Sequence, residues 1–293
     1  MTSSRRFRFV QFEFAWPLGP EPGRYPIRER MGEAPEYVLV LSTLGAPERR
    51  LLSGRRRVRD APPEPPPEPV LTSRATLVDT APLPGPDAAE DWLREANLDA
   101  LDALADDATA RLNRIVYAHR VATADPYARE ISREQALTTR IGYGDGEKVA
   151  DGRWESAREL APPGSRAGVL KPEQAMLRPQ ERLAAVLAGR DALLACEELT
   201  LRARSDLDAG RYREAALQLR VAFEAAIAEL EPWRERASLP ERLDDLRTRR
   251  DDVGAAANAA LRGGLDPEHI ETVGTVLGRV EAALRARTVG GVG

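Results

Sequence analysis

Gly142-Tyr143-Gly144-Asp145-Gly146-Glu147-Lys148 is the stretch of this chain that comes nearest to a phosphate-binding loop. A Walker loop needs glycine, four residues, then Gly-Lys and Ser or Thr, so that backbone N–H groups and one lysine face the phosphates. Here Glu147 separates Gly146 from Lys148, Val149 follows the lysine, and the carboxylates of Asp145 and Glu147 would repel a phosphate. Asp145-Gly146 reads instead as a hairpin turn, inside a glycine-rich loop over 142–152. A surface loop with special backbone geometry is a common carrier of function, so Tyr143, Asp145 and Trp154 are the candidate functional residues there.

The strongest electropositive cluster is Arg55-Arg56-Arg57-x-Arg59 with Arg49-Arg50 upstream. Beside aromatic strands it would give a polyanion both phosphate contacts and stacking platforms. The plainer reading is a charged β edge that resists pairing with other sheets. Two histidines, His119 and His269, are too few for a metal site, and no cofactor is implied. Cys196, the chain's one cysteine, sits in an apolar helical run beside Leu193, Leu194 and Leu199 and reads as a buried, inert thiol. The acidic pairs Asp106-Asp107, Asp244-Asp245 and Asp251-Asp252 lie among arginines, as solvated ion pairs on helix faces do. Enzyme activity is therefore unsupported by these residues.

The most legible pattern is one of packing. Ile270, Val273, Leu277, Val280 and Leu284 recur at intervals of 3, 4, 3 and 4, the a/d stripe of a helix that packs on a partner. Such a stripe serves either the chain's own bundle or a homodimer seam. Leu219, Phe223 and Ile227, at i, i+4 and i+8, mark another buried helix face. Gly210-x-Tyr212-x-x-Ala215, followed by Leu219 and Ala222, resembles the middle of one tetratricopeptide repeat, in which a glycine ends the first helix and small residues let the second pack closely. Neighbouring helices do not repeat the pattern at offsets of roughly 34 residues, so the resemblance implies a helix hairpin and not a repeat array.

These stripes must be held by a chain of 293 residues, long enough for two domains. Its apolar share is 42% and its charged share 31%, an ordinary balance for a folded domain, and no apolar run is long enough to span a membrane. Of 43 basic residues only Lys148 and Lys171 are lysines, a bias that GC-rich codons explain more simply than guanidinium chemistry. Residues 1–60 carry 12 Arg against 7 Asp and Glu, a net +5 that leaves −9 for the remainder, too small an asymmetry to imply nucleic acid by itself. The single cysteine and the lack of a continuous apolar leader point to the cytoplasm.

The expected fold is α+β, with a β-rich module at 1–83, a helical and glycine-loop connecting region at 84–160, and an antiparallel four-helix bundle at 173–289. Strands are expected over Arg6–Trp16, near Arg24–Arg28, over Tyr37–Leu41, after Gly54 and over Ser73–Val78, with polyproline at 61–69. Along Arg6–Trp16 the apolar side switches between Phe9 and Val10, which predicts a bulge or a strand buried on both faces. Helices follow over Ala88–Ala96, from about Leu101 to Asp125-Pro126, and briefly after Ser132; then come Gln180–Leu207, Tyr212–Leu230, Glu241–Leu261 and Pro267–Arg287. The function expected from this logic is a non-catalytic interaction or scaffold protein that acts through helix packing on a protein partner or on itself. The alternatives are an enzyme with a site between the modules near the glycine-rich loop 142–152 and a nucleic-acid-associated factor using the arginines at 49–59.

Overall fold

A computed structural model of the chain describes residues 5–28, 30, 32–45, 71–163, 181–236 and 238–289. The arginine cluster at 49–59, the strand expected after Gly54 and the polyproline stretch at 61–69 lie outside the described residues. The chain is a mixed α+β protein and divides into two compact units, Met1–Leu170 and Lys171–Gly293.

The first unit is built on one antiparallel sheet. Its strands are β1 (Arg6–Phe14), β2 (Gly23–Ile27), β3 (Tyr37–Leu44), β4 (Thr72–Leu83), β5 (Thr138–Asp145) and β6 (Ser156–Leu160), in the order β2-β3-β4-β1-β5-β6. β1 is buried on both faces, one of the two outcomes that the switch of apolar side between Phe9 and Val10 predicts. Val10, Phe12 and Phe14 pack with Leu101, Ala105, Ala108 and Leu112 of helix α2 (Leu98–Thr123), while Phe9 packs with Val78 and Val149 behind the sheet. The other alternative, a bulge in β1 itself, does not hold, because β1 pairs residue for residue with β5 from Arg6 to Glu13. The irregularity is in β4. Phe7 pairs with Pro82 and Phe9 with Val78, so Asp79, Thr80 and Ala81 of β4 oppose Arg8 alone. Helix α1 (Pro86–Glu95) starts with proline in its first turn, and Asn97 caps α2 by accepting from the Ala100 N–H at 2.8 Å. Ser132 N donates to Gln135 Oε1 at 2.9 Å and holds the short 3-10 turn Arg133–Gln135.

The glycine-rich loop is a correction. Gly142 and Gly144 belong to β5, and the reversal comes later, through a 3-10 turn at Gly146–Val149 that leads to β6. A Cβ on Gly142 would lie 2.2 Å from the Ser156 carbonyl oxygen, so glycine is what lets β6 approach. Glycines that read as turn signals are here the contact surface between two strands.

The second unit is helical: α3 (residues 181–187), α4 (Ala195–Asp208), α5 (Tyr212–Leu230), α6 (Leu239–Thr248), α7 (Arg250–Arg262) and α8 (Pro267–Val289). Its core is mainly Ala, Leu and Val around Phe223, including Ala203, Ala215, Ala216, Ala226, Ala256, Ala260 and Ala283. Two expected helices are each broken in two. Between α3 and α4, Gly189 takes φ +69, a left-handed backbone that ends a helix. Between α6 and α7, Arg249 bends to φ −93, ψ 2 and its N–H turns back to Leu246 at 2.9 Å. Asp251 and Asp252 then open α7, where carboxylates suit the helix dipole. Among the described residues no helix is long and apolar enough to cross a membrane.

Candidate functional site

The three residues picked from the glycine-rich loop do not converge. Tyr143 is 7% exposed and packs with Ala89 and Leu93 of α1 on one face of the sheet. Burial raises the pKa of its phenol. Trp154 lies on the other face, with its ring 5.8 Å from Phe9 and the Arg140 guanidinium 5.6 Å above it. Asp145 is at the strand end, paired with Lys148 at 2.5 Å on the surface. Behind the sheet, Glu13 accepts from Arg74 at 2.9 Å and Arg140 at 3.1 Å, a strut across three neighbouring strands.

The a/d stripe of α8 faces inward. Val273, Leu277 and Val280 are in the core of the helical unit, Leu284 packs partly buried against them, and Ile270 is half-buried. Cys196 is buried as expected, but in the first turn of α4 and not in mid-helix. Burial, with Glu229 beside it, pushes the thiol up to about 12, so it holds its proton at neutral pH. His119 is half-buried beside Gly19, and His269 Nδ1 meets Asp266 at 2.7 Å on the surface.

Two concave surfaces lie elsewhere. A groove of about 600 Å³ runs between α6 and α8, lined by Glu241, Arg242 and Asp245 on one side and by Thr275, Gly278, Arg279 and Ala282 on the other. A Cβ added at Gly278 would meet nothing within 4 Å, so α8 presents bare backbone there. Arg279 is already paired with Asp245 at 3.0 Å.

A smaller cleft, about 70 Å³, opens in the sheet unit, lined by Arg8, Tyr37, Asp79, Trp92, Leu104 and Ile141 among others. The β4 bulge sets Asp79 against Arg8 at 2.6 Å, and Arg8 lies 5.8 Å from the Trp92 ring. Arg111 stacks 4.3 Å over Tyr37. Burial raises the Tyr37 pKa against the opposing field of Arg111, with Asp79 and Asp107 adding to the rise.

No family model, curated protein or solved structure matches the chain.

Sequence reasoning did not find either concavity. The bulge beside the cleft lies in β4, and the switch of apolar side along β1 reports that strand's burial on both faces and not the bulge. The groove leaves almost no signal, because its α8 wall is the polar and small-residue side of the helix, where a glycine such as Gly278 is equally explained by close packing within a bundle. A third feature also went unread. Arg287, 2% exposed, is held by Asp191 at 2.5 Å, Glu197 at 3.3 Å and the Ala192 carbonyl at 3.0 Å, with its guanidinium 4.6 Å from the Trp233 ring. Arg182 shares both carboxylates. From the sequence Arg287 is only one more charge near a helix C-terminus.

Proposed function

We propose that the protein is a non-catalytic interaction or scaffold protein whose helical unit works as an antiparallel bundle and receives one helix of a partner protein in the α6–α8 groove. The observation that carries this reading is the groove itself, with a floor of Gly278 and Ala282 that lets another backbone approach closely. Charge complementarity narrows the occupant. Glu241 and Arg242 are exposed at the rim, so the incoming helix offers small residues toward Gly278 flanked by one basic and one acidic side chain. With the apolar stripe of α8 turned into the core, the partner meets the stripe Thr275, Gly278, Arg279 and Ala282. A cytoplasmic setting belongs to the same proposal, since the chain's one cysteine is a buried free thiol.

The test is photo-crosslinking in the native host from a benzoylphenylalanine at Thr275, with the exposed Val221 on α5 as the control position. The proposal expects a protein adduct from Thr275 whose crosslinked peptide is helical in its own protein, and which disappears when Gly278→Trp fills the groove. Absence of an adduct at Thr275, or one indifferent to the tryptophan, would overturn it.

A further inference from the structure

The helical unit itself carries a helix face with the features that the α6–α8 groove asks of its occupant. Helix α7 packs on the bundle through Val253, Ala256, Ala257 and Ala260. Its opposite side presents Asp251, Ala255, Asn258 and Arg262, at i, i+4, i+7 and i+11, and all four are exposed. That face has a carboxylate at one end, a guanidinium at the other and a small side chain between them.

The groove has matching ends. Arg236 donates to the Arg287 carbonyl and Arg279 pairs with Asp245 at 3.0 Å, so α6 runs antiparallel to α8 and Arg242 stands level with Ala282. At the other end Glu271 is exposed one turn before Thr275, on the same stripe as Gly278 and Ala282. Glu271 and Ala282 are eleven residues apart, as are Asp251 and Arg262, which is about 16 Å along either helix.

The state of the charges points the same way. Around these surfaces Arg247 pairs with Asp244 at 2.8 Å, Arg250 with Glu224 at 2.9 Å and Arg279 with Asp245. Arg242 and Glu271 at the groove, and Asp251 and Arg262 on α7, make no ion pair among the described residues. Other outward faces lack this pattern. α4 exposes Leu201 beside a Glu198–Arg202 pair at 2.9 Å, and α5 exposes Val221 beside Glu224, already held by Arg220 and Arg250.

On the reading that the groove takes a partner helix, on which this inference rests, we propose that the helix is α7 of a second copy of this chain. It lies antiparallel to α8, with Ala255 of the second copy over Gly278, where the missing side chain lets two backbones close to about 8 Å. Asp251 of the second copy meets Arg242, and its Arg262 meets Glu271. Arg250, exposed next to Asp251, does the same for Glu241. Groove and α7 face are different patches, so the contact is head-to-tail.

That asymmetry supplies the test, sedimentation velocity on the purified full chain. The wild type should associate between about 1 and 100 µM. Gly278→Trp fills the groove and Ala255→Trp spoils the α7 face, so each variant alone should stay monomeric at about 100 µM, while an equimolar mixture should form dimers and nothing larger. Arg262→Glu should weaken wild-type association about fivefold, and adding Glu271→Arg should restore it. This surface pair serves if either tryptophan variant fails to fold. A wild type monomeric throughout, association that neither tryptophan changes, or a mixture that stays monomeric would each overturn the proposal. A photo-crosslink from Thr275 to residues 250–262 of another copy supports it. A Thr275 adduct with a different protein, from a chain that is monomeric when pure, would overturn the second-copy assignment and leave the groove as a helix-binding site.

Discussion

The two units bury their cores by opposite means. The sheet unit inserts large rings, with Phe9, Phe12 and Phe14 on one central strand, whereas the helical unit packs alanines, leucines and valines around one fully buried phenylalanine. A sheet face stands about 10 Å from the layer above it, and long side chains must fill that gap. Helices with alanine at the contact close to about 8 Å, where there is no gap to fill. Lost volume should therefore hurt both units at their buried rings, and added volume should hurt the alanine contacts of the helical unit more than the sheet.

The sharpest test of this contrast begins with its largest effect. Phe12→Ala should cost the sheet unit about 3–5 kcal/mol by opening a cavity, and Phe223→Ala should cost the helical unit a similar amount, since Phe223 is a fully buried ring at the centre of its core. Hydrogen exchange read segment by segment would separate the two. Phe12→Ala should loosen β5 and spare α5, and Phe223→Ala the reverse; a Phe223→Ala variant with wild-type exchange in α5 would break the helix-face assignment. Next in size is overpacking. Ala216→Leu in the helical core should cost about 1–3 kcal/mol by urea denaturation, while enlarging the half-buried Val40 to Ile on the sheet should cost less.

The smallest effect concerns charge. Arg133 in the sheet unit, 6% exposed, reaches out to Asp106 at 3.0 Å and to Asp102, both on α2. Arg287 instead turns inward to Asp191 and Glu197. Burial raises the Asp191 pKa, but hydrogen bonds from the Ala192 N–H and Arg182, with the charge of Arg287, outweigh it and leave the carboxyl below its usual range. A depressed folded pKa stabilises fully above the ordinary Asp value of about 3.9 and is lost as pH falls through the lower folded value. Urea midpoints for Asp191→Asn should thus fall below wild type at neutral pH and converge with it in acid. A gap that persisted at low pH would assign the effect to geometry and not to charge.

How much of this was legible in the sequence depends on the range of the deciding contact. Continuous apolar runs such as Tyr37–Leu41 and capped starts such as Ser132–Gln135 are local, and the structure holds a strand and a turn there. β5 and β6 were missed because what makes Gly142 a strand residue is the Ser156 carbonyl, a partner that no local window contains. The break at Arg249 was missed because Arg-Arg-Asp-Asp is acceptable inside a helix and equally acceptable at the start of one. Candidate residues fared by the same rule. The α8 stripe was visible as apolar, but its direction is set by contacts with other helices, and the Arg8 cleft depends on a bulge between strands about seventy residues apart.

The central place of β1 also has a consequence for the order in which the molecule can be made. Its neighbours are residues 72–83 on one side and 138–145 on the other, so during synthesis the middle strand emerges before both and waits with both edges open. Every ladder it forms closes a long loop, the hallmark of slow folding, whereas the helical unit joins α4 to α5 and α7 to α8 across short turns and belongs with fast folders. The helical unit, translated after the sheet unit, is thus the one that can fold sooner, and the aromatic strand β1 is exposed for longer before its partners arrive.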